Sequence, residues 1–322
     1  MRRVLALLVS CLCAPPPGLA QDRPTLPLVA VLRVNTADTV EPGQTLFRNA
    51  LATLGRVDGK NLRLENRLAE GHPERLPDIA RSLVNDHPAV IVPFGEAAVR
   101  AAQQATSTIP IVTIADDLVE AKLIATLARP GGNTTGVSIF ATELDAKKID
   151  VLKQMLPSAR RFGVLRDPTT SVPARMQAIA DTAQALGIAL QIMDVHSPAD
   201  IDPAFASFSE AHADAVDILA SPLLFSLRKP LGQLSLEHKL PTICQFREAA
   251  EAGCLASYGI SLPRVFVALA EVTDKVLKGA PPGETPAQQP TTFELVINLK
   301  TAKALGVTVP QLMLQRADEV IE

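Results

Sequence analysis

Few side chains in this chain are of a type and spacing that does chemistry, and those few point to binding. The five histidines, His72, His87, His196, His212 and His238, are scattered, with no partner at metal-ligand spacing. There is no GxSxG nucleophile elbow, no HExxH and no phosphate loop ending in Gly-Lys-Ser/Thr. The stretch Arg129-Pro130-Gly131-Gly132-Asn133 is glycine-rich but lacks the Lys and Ser of a nucleotide cradle, and it reads as a tight turn. After the first predicted strand the turn is Asn35-Thr36-Ala37-Asp38-Thr39, which is no dinucleotide fingerprint. The pattern therefore predicts no catalytic residue, no metal and no cofactor. What remains is a carboxamide, three acids and three aromatics able to hold a small cation or amine: Asn35, Glu96, Asp117, Asp167, Phe225, Phe246 and Tyr258.

The elements that must position these residues alternate between strand and helix. Leu28 to Val34, Ala89 to Pro93 and Ile109 to Ile114 are short, almost wholly apolar runs, as expected of strands covered on both faces in a parallel sheet. Between them, Gln44 to Leu54, Pro73 to Asn85 and Ala97 to Ala105 read as helices. In the second of these Leu76, Ile79, Ala80 and Leu83 recur on one face. Thr142 is placed to cap a helix through Leu156, with Asp145 at the capping-box position. A second alternating series follows, with strands at Phe162 to Leu165, Ala189 to Val195, Val216 to Ala220 and Leu240 to Cys244. Leu255 to Tyr258 then leads into a long helix, Pro263 to Lys278. The fold class is α/β, with two doubly wound lobes. Ligands of open α/β sheets lie beyond the carboxyl ends of the strands, and that rule selects the seven candidates above.

The amino terminus reads as an export leader: Arg2-Arg3, an apolar run from Val4 to Cys13, then small residues at Gly18-Leu19-Ala20. Cleavage after Ala20 fits, with residues 1–20 removed. Leu8-Val9-Ser10-Cys11 also resembles a lipobox, which would anchor the protein through Cys11. Either route places the protein in the periplasm. Lys and Arg number 31 against 34 Asp and Glu, and loss of Arg2 and Arg3 takes the net charge from −3 to about −5. A mildly acidic chain without a Lys/Arg run argues against nucleic acid as a partner. Of the four cysteines two lie in the leader; Cys244 and Cys254 remain, and can either form a disulfide in an oxidising compartment or stay as buried thiols.

Three strings carry a family resemblance: Phe293 to the end (FELVINLKTAKALGVTVPQLMLQRADEVIE), LARPGGNTTGVS at Leu127 to Ser138, and TSTIPIV at Thr106 to Val112. The last thirty residues themselves read as a strand to Ile297, a helix from Leu299 to Leu305, a turn at Gly306 and an extended exit through Pro310. In order and spacing the strings resemble ABC-transporter substrate-binding proteins of the type I periplasmic-binding fold, from about Leu28 onward. The resemblance implies lobes joined by a multi-crossover hinge, 26–138 with 260–280 and 139–259 with 290–322. It also implies a small-molecule solute, such as an amino acid, and ABC permease subunits as partners. A monomer and no enzymatic activity are expected. A ligand-sensing ectodomain module would use the same cleft, and an exported α/β enzyme would need a nucleophile and base that meet only in three dimensions.

The family pattern is kept at Phe246-Arg247-Glu248 and Ser257-Tyr258-Gly259 but departs elsewhere. Glu96 stands where a small hydroxyl residue is usual, Asp116-Asp117-Leu118-Val119 replaces Gly-Asp-Pro-Val, and Asp167-Pro168 replaces Asn-Pro. The expectation is an acidic cleft in which Glu96 or Asp117 holds an amine. Any solute carboxylate would sit at the helix amino end near Ala97. Glu96 and Asp167 equally suit helix-start or turn carboxylates facing water, and the two Phe equally suit core packing.

Overall fold

The computed structural model describes residues 26–35, 43–139, 141–170 and 173–322; the expected cleavage site and Cys11 lie outside them. Strands β1 (Leu28–Arg33), β2 (Arg63–Leu68), β3 (Val90–Pro93), β4 (Ile111–Ala115) and β5 (Thr134–Ser138) form a parallel sheet ordered β2-β1-β3-β4-β5. Helices α1 (Gly43–Thr53), α2 (Leu76–Asn85) and α3 (Glu96–Ala105) connect its first four strands. Every residue of β1 and β3 is buried, which is why their sequences are apolar without alternation up to Arg33 at the end of β1. The edge strand β2 instead carries Arg63 and Arg67 on Glu65, each at 2.8 Å, a charged border that discourages pairing with another chain.

A second sheet is built from α4 (Ala141–Met155), β6 (Arg161–Arg166), α5 (Pro173–Ala185), β7 (Ala189–Asp194), α6 (Ile201–Glu210), β8 (Ala215–Ile218), α7 (Pro222–Ser226), α8 (Arg228–Glu237), β9 (Thr242–Cys244), α9 (Arg247–Glu251) and β10 (Ala256–Ile260). The long helix α10 (Leu262–Leu277) follows, then β11 (Phe293–Asn298), α11 (Leu299–Leu305), α12 (Gln311–Arg316) and β12 (Glu319–Ile321). Strand order is β12-β11-β10-β9-β8-β6-β7, and only the β10–β11 pairing is antiparallel. Although α10 follows a strand of this second sheet, its Val265, Phe266 and Leu269 pack into the core of the first, beside Val29, Val31 and Phe47. The loop behind it stays with the first sheet, where the Thr135 hydroxyl donates to the Thr285 carbonyl at 2.7 Å. The chain then returns to pair β11 with β10, so it passes between the two sheets three times.

Two local expectations change. Helix α4 begins at Ala141, so Thr142 lies inside it rather than at its cap. Asp145 is fully buried and ion-paired with Lys148 and Arg175 rather than closing a capping box. Beyond Pro310 the tail is not simply extended: Pro310 itself, at φ −59°, starts α12, and β12 then adds a parallel edge strand to β11. Arg247 on α9 holds that strand through Glu319 at 2.6 Å. Cys244, ending β9, is bridged to Cys254 just before β10, with their Cα atoms 6.7 Å apart.

Candidate solute-binding cleft

In each sheet the strand order reverses once, between β1 and β3 in the first and between β6 and β8 in the second. Backbone loops diverge at such a reversal and leave a crevice at the carboxyl ends. Here the two crevices face each other. A cavity lined by both lobes lies between them, where solutes of open α/β sheets sit. The first lobe contributes Arg33 and Asn35 from the end of β1, Phe94 and Gly95 from the end of β3, and Asp116 from the end of β4. The second contributes Ala220, Ser221 and Pro222 after β8, Phe225 on α7 and Phe246 after β9, while Phe266 of α10 closes the hinge side. The lobes touch at this seam. A Cβ on Gly95, whose φ is +81°, would stand 3.0 Å from the Pro222 ring, so glycine serves here both the backbone and the close approach.

The polar groups of the cavity gather on the first lobe. The Arg33 guanidinium, 5% exposed, lies 3.8 Å over the Phe94 ring, a cation–π stack that fixes its plane. Asp116 accepts from Arg175 of α5 at 2.6 Å, an ion pair joining the two lobes. Burial pushes the Asp116 carboxyl up to about 6, with Arg175 opposing the rise and the charges of Asp145, Glu96 and Asp167 adding to it.

Arg175 is itself held from behind. Its Nε pairs with Asp145 and its Nη2 donates to the Ala220 carbonyl at 3.1 Å. Lys148, one turn along α4 from Asp145, bonds Asp145 at 2.8 Å, Asp217 of β8 at 2.6 Å and the Ile218 carbonyl at 2.8 Å. Asp145, Lys148 and Asp217 expose nothing to solvent. Burial disfavours the Lys148 charge, but the two carboxylates outweigh it and hold its titration above the usual lysine range. Burial pushes Asp217 up to about 7, with Lys148 opposing. Three carboxylates and two cations thus form one chain, Asp116–Arg175–Asp145–Lys148–Asp217, running from the cavity into the second lobe.

Of the seven residues expected at the site, the structure brings Asn35, Phe225 and Phe246 to the cavity. The two rings meet edge to face at 5.3 Å. Glu96 opens α3 and is tied to Arg100 at 2.7 Å, and Asp117 caps its own turn, accepting from the Val119 and Glu120 amides at 2.9 Å. Both line narrower clefts along the same seam, as does Asp167, which accepts from the Thr169 amide at 2.9 Å. Tyr258 lines none of these cavities. It sits mid-strand in β10, opposite Leu295, its ring 6.3 Å from Phe293 and packed on the second lobe's core. Sequence reasoning missed Asp116, Arg33, Ser221 and Arg175. For the first two the signal was available, a charge at the end of an apolar strand; Arg175, in mid-helix, carried none. Among the described residues no cluster of His, Cys, Asp and Glu suits a metal ion.

Two lobes joined by three crossing segments around a shared cleft define a type I periplasmic-binding architecture. The chain belongs to the family of ABC transporter substrate binding proteins, whose model matches residues 29–321. It is 28% identical over 267 residues to a tyrosine-binding protein of Clostridioides difficile (strain R20291), covering 81% of this chain and 75% of that one. A conserved domain protein from Vibrio cholerae superposes with a TM-score of 0.84 at 28% identity, covering 92% of this chain and all of the other. An ABC domain from Streptococcus pneumonia in complex with L-Trp superposes equally well, with TM-score 0.84, 24% identity and coverage of 92% and 100%. Proteins of this family bind small solutes and work with ABC permeases. Among the described residues no helix is long and apolar enough to cross a membrane.

Proposed function

We propose that this protein is the extracytoplasmic receptor of an ABC importer and that its solute is an amino acid, or a similar amine, with an apolar or aromatic side chain. The observation that carries this reading is the sorting of the cavity wall. A carboxylate, a guanidinium and a carboxamide (Asp116, Arg33, Asn35) stand on the first lobe, and the rings of Phe225 and Phe246 stand on the second. A zwitterion with an apolar tail matches both halves. Its ammonium pairs with Asp116, in place of the Glu96 or Asp117 expected from sequence. Its carboxylate takes Arg33 and the amide end of α3, which starts beside Gly95. Its side chain lies between the phenyl rings. The relatives agree in kind, since one is a tyrosine-binding protein and another was crystallised with L-Trp.

Binding works by population shift. A solute touching both lobes favours the closed arrangement over the open one by its extra contacts. The moving units are residues 26–138 with 260–280 and residues 139–259 with 290–322, and the Asp116–Arg175 pair forms only when they meet. The closed surface then docks on the permease, and the chain itself performs no reaction. A thermal-shift panel of amino acids, polyamines, sugars and nucleosides tests this. A solute at a hundred times its dissociation constant stabilises the protein by about 2.7 kcal/mol, a rise of a few degrees. Response confined to amino acids is the expected outcome; response to sugars or nucleosides alone contradicts the reading.

A further inference from the structure

Behind Phe225 and Phe246, inside the second lobe, lies a small cavity of about 20 Å³, the size of a water site, and the same two rings line both it and the main cleft. With Ala220 and Ser221 they form the partition between the two spaces. Arg228 sets the position of one of them, stacking 4.7 Å from the Phe225 ring and donating to the Phe225 carbonyl at 3.1 Å. Most of the remaining lining is apolar, including Leu224, Leu231 and the bridged Cys244 and Cys254. The polar lining residues are Ser221, which accepts from the Leu224 amide, Arg228 and Gln245. Gln245 is 2% exposed, and neither its amide oxygen nor its amide nitrogen has a hydrogen-bond partner among the described residues. Its seat is built for it: any Cβ at Gly259 on the neighbouring β10 would collide with Gln245, so the glycine keeps the slot open.

A buried carboxamide with both ends unsatisfied is rare in folded proteins, because each end has given up water for nothing. Gln245 follows directly on β9, at the carboxyl end of the sheet where solutes of this architecture lie. It also belongs to the apolar lobe, on the side of the cleft away from Asp116 and Arg33. Resting on the amino-acid reading above, we infer that Gln245 reads a hydroxyl or amide group at the tail of the solute, the end remote from its amine. A phenol or carboxamide can donate to the amide oxygen and accept from the amide nitrogen. A plain hydrocarbon tail can do neither and leaves the amide unsatisfied. The solute's tail reaches it by displacing the Phe225–Phe246 contact, the aromatic part of the wall that the two cavities share with Ala220 and Ser221.

Calorimetric titration of the purified protein with L-phenylalanine and L-tyrosine, a pair differing by one hydroxyl, tests the inference. The expected result is L-tyrosine bound at least about tenfold more tightly by the wild type, since a site built around a hydrogen bond rejects the analogue lacking it. In Gln245→Leu that preference should shrink to within about twofold, while L-phenylalanine binds as well as before or better. Equal wild-type affinities overturn the inference without need of the variant, so a poorly folding Gln245→Leu does not shield it. A preference that survives Gln245→Leu overturns it too and leaves the amide as the host of a water. If neither amino acid binds, the amino-acid reading fails and this inference with it.

Discussion

The two lobes share an architecture and use charge in opposite ways. In the first, Arg33, Asn35 and Asp116 stand at strand ends and line the cleft themselves. In the second, the charges lie behind the wall: Asp145, Lys148 and Asp217 expose nothing, and what faces the cleft is mainly Ala220, Pro222, Phe225 and Phe246. On the proposed reading the first lobe is the recognising surface. The second is an apolar cover whose buried ions aim one side chain, Arg175, at the first. A zwitterion would dock its head on the first lobe and receive the second over its tail, and the Asp116–Arg175 pair would report that closure.

Breaking the hidden network should have the largest effect. Lys148→Met leaves Asp145 and Asp217 without their shared cation, and loss of one partner from a buried pair destabilises by about 3–5 kcal/mol. Chemical denaturation should show this loss, and hydrogen exchange should place it in the second lobe. A loss under about 1 kcal/mol would mean that the network is not structural. Next, Cys244→Ala with Cys254→Ala removes a bridge across a short loop of the same lobe, with an expected loss of roughly 2–3 kcal/mol. An unchanged melting curve on adding reductant to the wild type would show that the bridge contributes nothing.

Proton competition sharpens the contrast from the other side. The solute's ammonium pairs only with ionised Asp116, and that carboxyl titrates at about 6 in the closed protein. Lowering the pH therefore protonates Asp116 and weakens binding, by at most about tenfold at pH 5 relative to pH 7. A flat profile from pH 7 to 5 would remove Asp116 from the site. The smallest effect is expected at Tyr258. Packed on Phe293 and the second lobe's core, Tyr258→Phe should change affinity by less than about twofold, whereas a tenfold loss would return it to the site.

Much of the scaffold was legible because two-sided burial leaves a plain mark. Runs such as Val90–Pro93 and Ile111–Ala115 are apolar without alternation, and the helices between them carry one apolar face. The strand-end rule pointed to the sheet ends between which the cavity lies, and Asn35, Phe225 and Phe246 line that cavity. It could not choose between Asp116 and Asp117. Adjacent residues leaving a strand point in different directions, and only the pairing of Ala115 with Ser138 fixes where β4 ends. The turn then spends Asp117 on its own amides. Arg175 was invisible for a different reason: it reaches Asp116 across 59 positions of sequence, from a helix of the other lobe. Tyr258 was chosen as a strand-end residue, but β10 runs on to Ile260 and pairs Tyr258 with Leu295, and Gly259 follows it inside the strand. That glycine makes room for Gln245.

The central claim is that the first lobe holds the solute's amine through Asp116. Titrating the wild type and Asp116→Asn with L-phenylalanine and with 3-phenylpropanoate, the same molecule without its amine, tests it most directly. The account predicts that the wild type prefers the amino acid by at least about tenfold, or about 1.4 kcal/mol, and that Asp116→Asn abolishes the preference. Equal binding of the two compounds by the wild type, or a preference that Asp116→Asn retains, would contradict it.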